Sequence, residues 1–185
     1  MGKNSKILIT GARGLVGIDL IEELKKEGFQ NLIYPTSKEL DLREREKVFS
    51  FFEKEKPDYV FHLAAVVGGI KANMNFPVEF LKNNLLLNTN LIDACFKHNV
   101  KKLINLGSSC IYPKLAEQPL KESSLLSGKF EPTNEGYALS KITSLKLCEY
   151  YNREYNTNFI SLIPPNLYGK NEKFDLEKSH VLSSL

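Results

Sequence analysis

Cysteine is scarce in this chain: Cys95, Cys110 and Cys148 are the three present. The number is odd and no spacing suits a metal site, so neither a disulfide framework nor a structural metal is expected, and a reducing, cytoplasmic setting fits. Long apolar runs are also missing. None approaches the roughly 20 residues needed to cross a bilayer, so no membrane is expected as a partner. Charge of one sign is not in excess either. Lys and Arg number 25 against 22 Asp and Glu, leaving +3, too little to point to nucleic acid or an anionic surface. There is no internal repeat and no low-complexity tract. The chain opens on a strand-like run rather than a secretory leader. Met1-Gly2 does not begin a myristoylation signal, because the position that needs Ser or Thr holds Lys6. What remains is a globular composition, 42% apolar and 25% charged, long enough for one domain with a real core.

The richest glycine pattern is Thr10 to Gly17, TGARGLVG, between an apolar run at residues 6–10 and an amphipathic one from Leu15. Strand, tight turn and helix in that order are what a dinucleotide-binding turn requires. Small residues let the backbone approach a pyrophosphate, and the helix offers its first N–H groups and its positive dipole end. The spacing, G-x-x-G-x-x-G, is looser than the usual fingerprint, and a glycine-rich turn between any strand and helix would read alike.

Residues 6–10 read as a strand buried on both faces. Residues 15–27 read as a helix with Val16, Leu20 and Leu24 on one stripe and Gly28 as its stop. A second strand at 32–34 precedes a helix at 43–55, with Val48, Phe51 and Phe52 inward and Pro57 beyond its end, and then a third strand at 58–63. This alternation predicts an α/β fold, a doubly wound parallel sheet of the Rossmann type. The small, glycine-rich residues 64–75 read as a loop at the carboxyl edge, where such sheets bind ligands. Residues 77–99 read as a long helix. Its Phe80, Leu81, Leu85, Leu86, Leu87, Leu91 and Ile92 exceed one stripe, so it is covered on a second side, by the same chain or by a second copy. A strand at 102–106, a long loop at 111–133, a helix at 134–155 with Ala138, Ile142, Leu145 and Cys148 on one face, and a strand at 159–163 follow. Residues after Pro164 read as irregular.

Tyr137 and Lys141 stand four residues apart and share a helix face. An ammonium beside a phenol favours the phenolate, so a tyrosine of lowered pKa is expected, able to exchange a proton near neutrality. Ser108, just after the fourth strand, is placed to hydrogen-bond a substrate oxygen beside it. His62 reads as core packing, His98 as a charge at a helix C-terminus, and Cys95 and Cys148 as helix core.

TGARGLVG, LAA at 63–65, LGSSCIYPK at 106–114, EPTNEGYALSK at 131–141 and PPNLYG at 164–169 together resemble an extended short-chain dehydrogenase/reductase of the NAD-dependent epimerase/dehydratase family. SSCIYPK, EPTNEGYA and NLYG followed by NEKFDLEKSHV resemble its GDP-L-fucose synthase branch, and the likeness runs over residues 6–182. The resemblance implies NADPH-dependent epimerisation and reduction of a GDP-4-keto-6-deoxy-D-mannose substrate. It implies Ser108, Cys110, Tyr137, Lys141 and His180 as the catalytic set. Cys110 and His180 would be the acid/base pair that epimerisation adds to the Ser-Tyr-Lys core, since a thiol and an imidazole titrate near neutrality once perturbed. Lys141 would lower the Tyr137 pKa and bind the nicotinamide ribose. Implied cofactor contacts are Gly11, Ala12, Arg13, Gly14, Leu15, Val16, Gly17, Lys38, Asp41, Leu42, Ala64, Ala65, Leu106, Gly107, Ser108, Ser109, Tyr137, Lys141, Pro164, Pro165, Asn166, Leu167 and His180. Implied substrate contacts are Ser108, Ser109, Cys110 and Asn166. A homodimer through the 77–99 and 134–155 helices follows from the same resemblance and from the excess apolar surface.

An NAD-specific site usually carries an acid at the end of the second strand. Here that place reads Tyr34-Pro-Thr-Ser-Lys38, with no acid before Glu39, and Arg13 and Lys38 suit a phosphate. NADP(H) is therefore expected. The family continues past this length into a smaller domain that binds the GDP-sugar. Residues 1–185 are thus expected to be the NADP-binding domain of a truncated form or fragment, with 164–185 starting the substrate-domain segment. Pro165 stands where the family has threonine and removes a backbone donor, and Gly136 is expected to loosen the first turn of the Tyr137 helix. The competing readings are another nucleotide-sugar epimerase or dehydratase, and an NADP-binding module without turnover. Cys110 and His180 argue against the first, because a simple C4 epimerase needs only tyrosine, lysine and nicotinamide.

Overall fold

A computed structural model describes residues 1–171; His180 and the rest of the tail lie outside the described residues. Five strands form one parallel sheet in the order β2-β1-β3-β4-β5: β1 (Ile7–Thr10), β2 (Leu32–Ile33), β3 (Tyr59–His62), β4 (Lys102–Leu106) and β5 (Phe159–Leu162). The helices are α1 (Leu15–Lys26), α2 (Arg45–Glu55), α3 (Ile70–Asn75), α4 (Pro77–Lys97) and α5 (Glu135–Tyr155). The chain steps one way from β1 to β2, then back past β1 to β3, β4 and β5. Right-handed crossovers then put α1 on one face and α2, α4 and α5 on the other. The two cores follow that division. Ile7, Ile9, Leu24 and Phe29 pack on the α1 side. Leu8, Val48, Phe52, Val60, Leu91, Ile92, Leu103 and Phe159 pack on the other. This is the Rossmann-type doubly wound sheet, and every residue of β1 is buried.

Local chemistry sets the helix ends. Gly28 adopts φ +82°, and Gly28 N–H and Phe29 N–H donate to Lys25 O and Leu24 O at 3.0 and 2.9 Å. That is a Schellman stop built on the glycine. Asn99, at φ +54°, ends α4 in the same manner, with Val100 N–H on Cys95 O at 2.9 Å. Within α1, Leu24 and Gly17 are buried, whereas Val16 and Leu20 are half-buried. The long helix α4 finds its second cover within the chain. It packs between α2 and α5, and Asp93 ties both neighbours, accepting from Arg45 Nη1 at 2.8 Å and Tyr151 Oη at 2.6 Å. His98 caps α4 with its ring against Phe49 and Phe52.

The loop expected over 64–75 contains α3. It is too short to show a helical period, and its two preceding glycines read as breakers. In fact Gly68 O and Gly69 O accept from Asn73 Nδ2 at 2.8 and 3.1 Å, which closes the helix entry. Gly136 lies in the first turn of α5. A Cβ there would lie 3.0 Å from Pro77 O, so its smallness permits close approach of α5 to α4.

Two side-chain rows cross the α4/α5 face of the sheet in register. Leu8, Val60, Leu103 and Phe159 form an apolar row; two positions on, Thr10, His62, Asn105 and Ser161 form a polar one. His62 is fully buried, and it is hydrogen-bonded rather than merely packed. Its Nδ1 lies 2.8 Å from Thr10 Oγ1 and its Nε2 2.9 Å from Asn88 Oδ1. An amide oxygen only accepts, so Nε2 carries the proton and Nδ1 accepts from the threonine. Burial first, then the Lys141 charge, hold His62 neutral, with its pKa down to about 3. The unfolded chain protonates this histidine near pH 6.5, so its contribution to folding stability is complete above that pH and is lost progressively as pH falls towards 3. The slope approaches ~1.4 kcal/mol per pH unit. Urea unfolding across that window is expected to show wild type losing stability faster than His62→Gln, and parallel profiles would contradict it.

Candidate active site

The carboxyl ends of β1, β3 and β4 define one edge, and the predicted residues gather along it. After β1, Gly11 turns at φ +74°, and a Cβ there would meet Ala64 N at 2.6 Å. Gly17 is shut in as tightly, its Cβ position overlapping Gly11 O and lying 2.6 Å from Ala12 Cα. Gly14 differs. Its Cβ position touches only Gly11 O, at 3.3 Å, so this corner of the turn is open. The helix starts directly at Leu15 with no acidic residue in its first turn. Its free N–H groups and dipole therefore face an open, small-residue surface, which suits a phosphate. Ala12 is buried, Arg13 exposed, and Leu15, Val16, Ala64 and Ala65 half-buried around it.

After β2, Lys38 is exposed. Glu39, the first acid, is turned onto its own backbone. Its Oε2 accepts from Thr36 N–H at 2.7 Å, while Glu39 N–H donates to Thr36 Oγ1 at 3.3 Å. The Thr36 bonds hold this carboxyl below the usual range, and the Arg13 charge adds to the effect. The Asp41 carboxylate, among the implied cofactor contacts, is engaged by Arg43, with Nε–Oδ1 at 2.9 Å and Nη2–Oδ2 at 2.6 Å. Leu42 is buried, and its carbonyl accepts from Asn90 Nδ2 at 3.0 Å.

After β4, Gly107 N–H donates to Leu162 O at 2.7 Å, which carries the β4–β5 pairing one step further. Ser108 then caps a 3₁₀ turn, Ser109–Ile111, its Oγ accepting from Cys110 N–H at 3.4 Å. Ser109 N–H donates to Pro164 O at 3.1 Å, tying this turn to the segment after β5. That segment, with Pro165, Asn166 and Leu167 exposed, runs back to α1, where Asn171 Nδ2 meets Asp19 Oδ1 at 2.7 Å. From α5, Lys141 is 2% exposed. Its Nζ donates to Leu106 O at 2.7 Å and lies 5.8 Å from the Tyr137 ring centroid. Ser108, Cys110, Tyr137 and Lys141 are thus brought together; His180 lies outside the described residues.

The electrostatics of this set correct the expected pKa directions. Burial pushes the Tyr137 phenol well above its ordinary value, and the Cys110 sulfur adds to the rise. Lys141 lies beside the phenol without outweighing its burial; the ammonium donates to Leu106 O and is itself desolvated, with a pKa down to about 8. Burial raises the Cys110 thiol as well, against the pull of Ser108 and Lys141. At neutral pH the site holds a phenol, a thiol and an ammonium.

The model of the NAD dependent epimerase/dehydratase family matches residues 7–185. The chain belongs to that family. Among its members, "GDP-L-fucose synthase 1" of Arabidopsis thaliana is 50% identical over 99% of the chain and 57% of the relative. Two solved structures share the fold over 100% of the chain. A GDP-D-glycero-L-gluco-heptose synthase from Campylobacter jejuni, in the presence of NADPH, has a TM-score of 0.96 at 43% identity, and the chain covers 54% of it. A GDP-L-fucose synthetase from Naegleria fowleri bound to NADP has a TM-score of 0.91 at 37% identity, with 61% covered. The chain therefore spans a little over half the length of these family members. No helix among the described residues is long and apolar enough to cross a membrane.

Residues with polar roles that sequence reasoning passed over sit one layer deeper. Asn84 clamps the segment after β3, its Oδ1 accepting from Val66 N–H at 2.8 Å and its Nδ2 donating to Val66 O at 2.9 Å. Asn88 reaches His62. The signal that could have found them is Asn-x-x-x-Asn on the buried face of an otherwise apolar helix.

Proposed function

We propose that the chain is the NADPH-binding and catalytic portion of a cytoplasmic, multifunctional epimerase-reductase that converts GDP-4-keto-6-deoxy-D-mannose to GDP-L-fucose. The observation that carries this reading is the convergence of Ser108, Cys110, Tyr137 and Lys141 at the end of β4, on the same sheet edge as the open glycine turn. The names of the relatives supply the substrate class, and the NADP in the Naegleria structure supports the cofactor.

When bound, NADPH supplies the hydride that reduces the ketone. The turn at Gly11–Gly17 and the start of α1 suit its pyrophosphate. Arg13 and Lys38 supply positive charge for a ribose phosphate, while the Glu39 carboxylate is occupied by Thr36 N–H. Ser108 Oγ and Tyr137 Oη hold the ketone oxygen. Tyr137, protonated at neutral pH, gives up its proton as the alkoxide forms, and the nearby Lys141 charge stabilises the resulting phenolate. Epimerisation removes a proton beside the ketone and returns one from the other face. Cys110 is one group for this exchange. Burial disfavours its thiolate, and Ser108 and Lys141 favour it. His180 is its proposed partner. Residues 164–185 begin the substrate domain. A second copy is proposed to pair along α4 and α5, where Val78, Leu86, Leu139 and Tyr150 stay exposed.

The Campylobacter relative favours a second substrate of the same class, a GDP-heptose. The deciding experiment offers both sugars to the chain and to a version extended to its relatives' length, in deuterated water with NADPH. Oxidation of NADPH and deuterium beside the ketone of the deoxymannose substrate are expected from the extended protein. Neither signal with that sugar, against turnover of the heptose, would select the second reading. Cys110→Ser is expected to slow deuterium uptake by ~10²-fold or more while NADPH still binds. Equal loss of both would make Cys110 a packing residue.

A further inference from the structure

The polar row Thr10, His62, Asn105 and Ser161 has no part in the chemistry above, yet it is wired to the backbone of α5. His62 Nε2 holds Asn88, whose Nδ2 reaches Ser140 O at 3.5 Å. Asn105 Nδ2 donates to Ser161 Oγ at 3.1 Å and to Ser144 Oγ at 3.2 Å. Ser144 Oγ in turn donates to Lys141 O at 2.9 Å. Two adjacent carbonyls of α5, at Ser140 and Lys141, are thereby held from the sheet by separate branches. All of His62, Asn88, Asn105, Ser140 and Ser144 are buried. Stability alone does not call for such a layer. The apolar row two positions earlier shows what packing needs, and buried polar groups gain little net over apolar ones of the same shape. Every side-chain polar atom of the row and its two links finds a partner except Asn105 Oδ1, and what such a hydrogen-bonded layer adds is a single geometry.

We propose that this row, acting through Asn88 and Ser144, is a positioning device that fixes α5 against the sheet at Ser140 and Lys141. It thereby sets the reach of the Lys141 ammonium to Leu106 O and its distance from Tyr137. The role rests on the reading of Tyr137 and Lys141 as the working pair. The titratable groups that face the ammonium are Tyr137 on α5, Cys110 in the turn after β4 and His62 on β3. If α5 loosens, water reaches Nζ, desolvation falls and Lys141 titrates higher.

The test is an NMR titration of carbon-13-labelled lysine in this chain, with NADPH binding followed by fluorescence. Wild-type Lys141 is expected to titrate at about 8. Ser144→Ala and Asn105→Leu are expected to raise the midpoint by about one pH unit towards the ordinary lysine value and to weaken NADPH binding several-fold. His62→Gln keeps a donor and an acceptor and is expected to preserve the wild-type midpoint. A purely structural row would lower melting temperature but leave the folded-state midpoint in place, and unchanged midpoints in folded variants overturn the proposal. Ser144→Ala removes one hydroxyl only, so it carries the test should Asn105→Leu fail to fold. Failure of wild type to bind NADPH would strike the proposed function instead, and the comparison of midpoints would still decide this inference.

Discussion

Tyr137→Phe in the protein extended to its relatives' length is expected to cut ketone reduction by ~10²–10⁴-fold and to leave NADPH binding nearly unchanged. The phenol is buried and its pKa is pushed up, so at neutral pH Oη carries a proton to give. Phenylalanine keeps the ring, its packing and its approach to Lys141, and removes only the hydroxyl, and with it the proton and the contact to the ketone oxygen. Stopped-flow NADPH oxidation and a fluorescence titration on the same sample separate the two effects. Parallel loss of binding and turnover would mean the ring shapes the pocket without donating. Undiminished reduction would mean that the proton comes from elsewhere, with the Cys110 thiol of the same site an alternative.

Gly11→Val is expected to cost at least ~3 kcal/mol, a large share of the ~5–15 kcal/mol that keeps a domain folded, and to abolish NADPH binding. Two costs add at this position. A β-branched residue is strained at φ +74°, and its Cβ would lie 2.6 and 2.7 Å from Ala64 N and Leu63 C. Those are backbone atoms, and Leu63 N–H is bonded to Thr10 O at 3.2 Å, so they cannot step aside without breaking the β1–β3 edge. Gly14→Ala is the contrast. Its Cβ meets only Gly11 O, at the ordinary φ of −84°, so the melting temperature is expected to hold while NADPH affinity falls. Thermal melts and fluorescence titrations of the two variants side by side check this. Equal melting temperatures would mean that the turn is more pliable than its contacts imply.

Much of the architecture was legible in the sequence because it rests on local rules. Apolar β1, the glycine stop at Gly28, Pro57 after α2 and the shared helical face of Tyr137 and Lys141 each follow from one segment. The site was legible to the extent that it depends on order along the chain: a turn after the first strand, Ser108 after the fourth, and the Tyr-Lys pair on the next helix. What escaped depends on three-dimensional surroundings. The expected lowering of the Tyr137 pKa counted only the charge of the ammonium, whereas both groups are buried and desolvation of the phenol prevails. Asp41 offered no sign that Arg43 would fold back on it. His62 resembled any histidine in an apolar strand, since its partners, Thr10 and Asn88, lie 52 and 26 residues away.

That polar row also bears on how the strands find one another. A slip of β4 by one position against β3 would turn Asn105 to the α1 face. A slip by two would set it beside Val60 and carry its Nδ2 away from Ser144 Oγ on α5, weakening a buried hydrogen bond at a cost of ~1–3 kcal/mol. Apolar side chains, being interchangeable, would impose no such penalty. In a parallel sheet assembled through long crossovers, the row makes every misaligned pairing unequal to the native one, so the ladder that steadies α5 also proofreads the sheet as it forms.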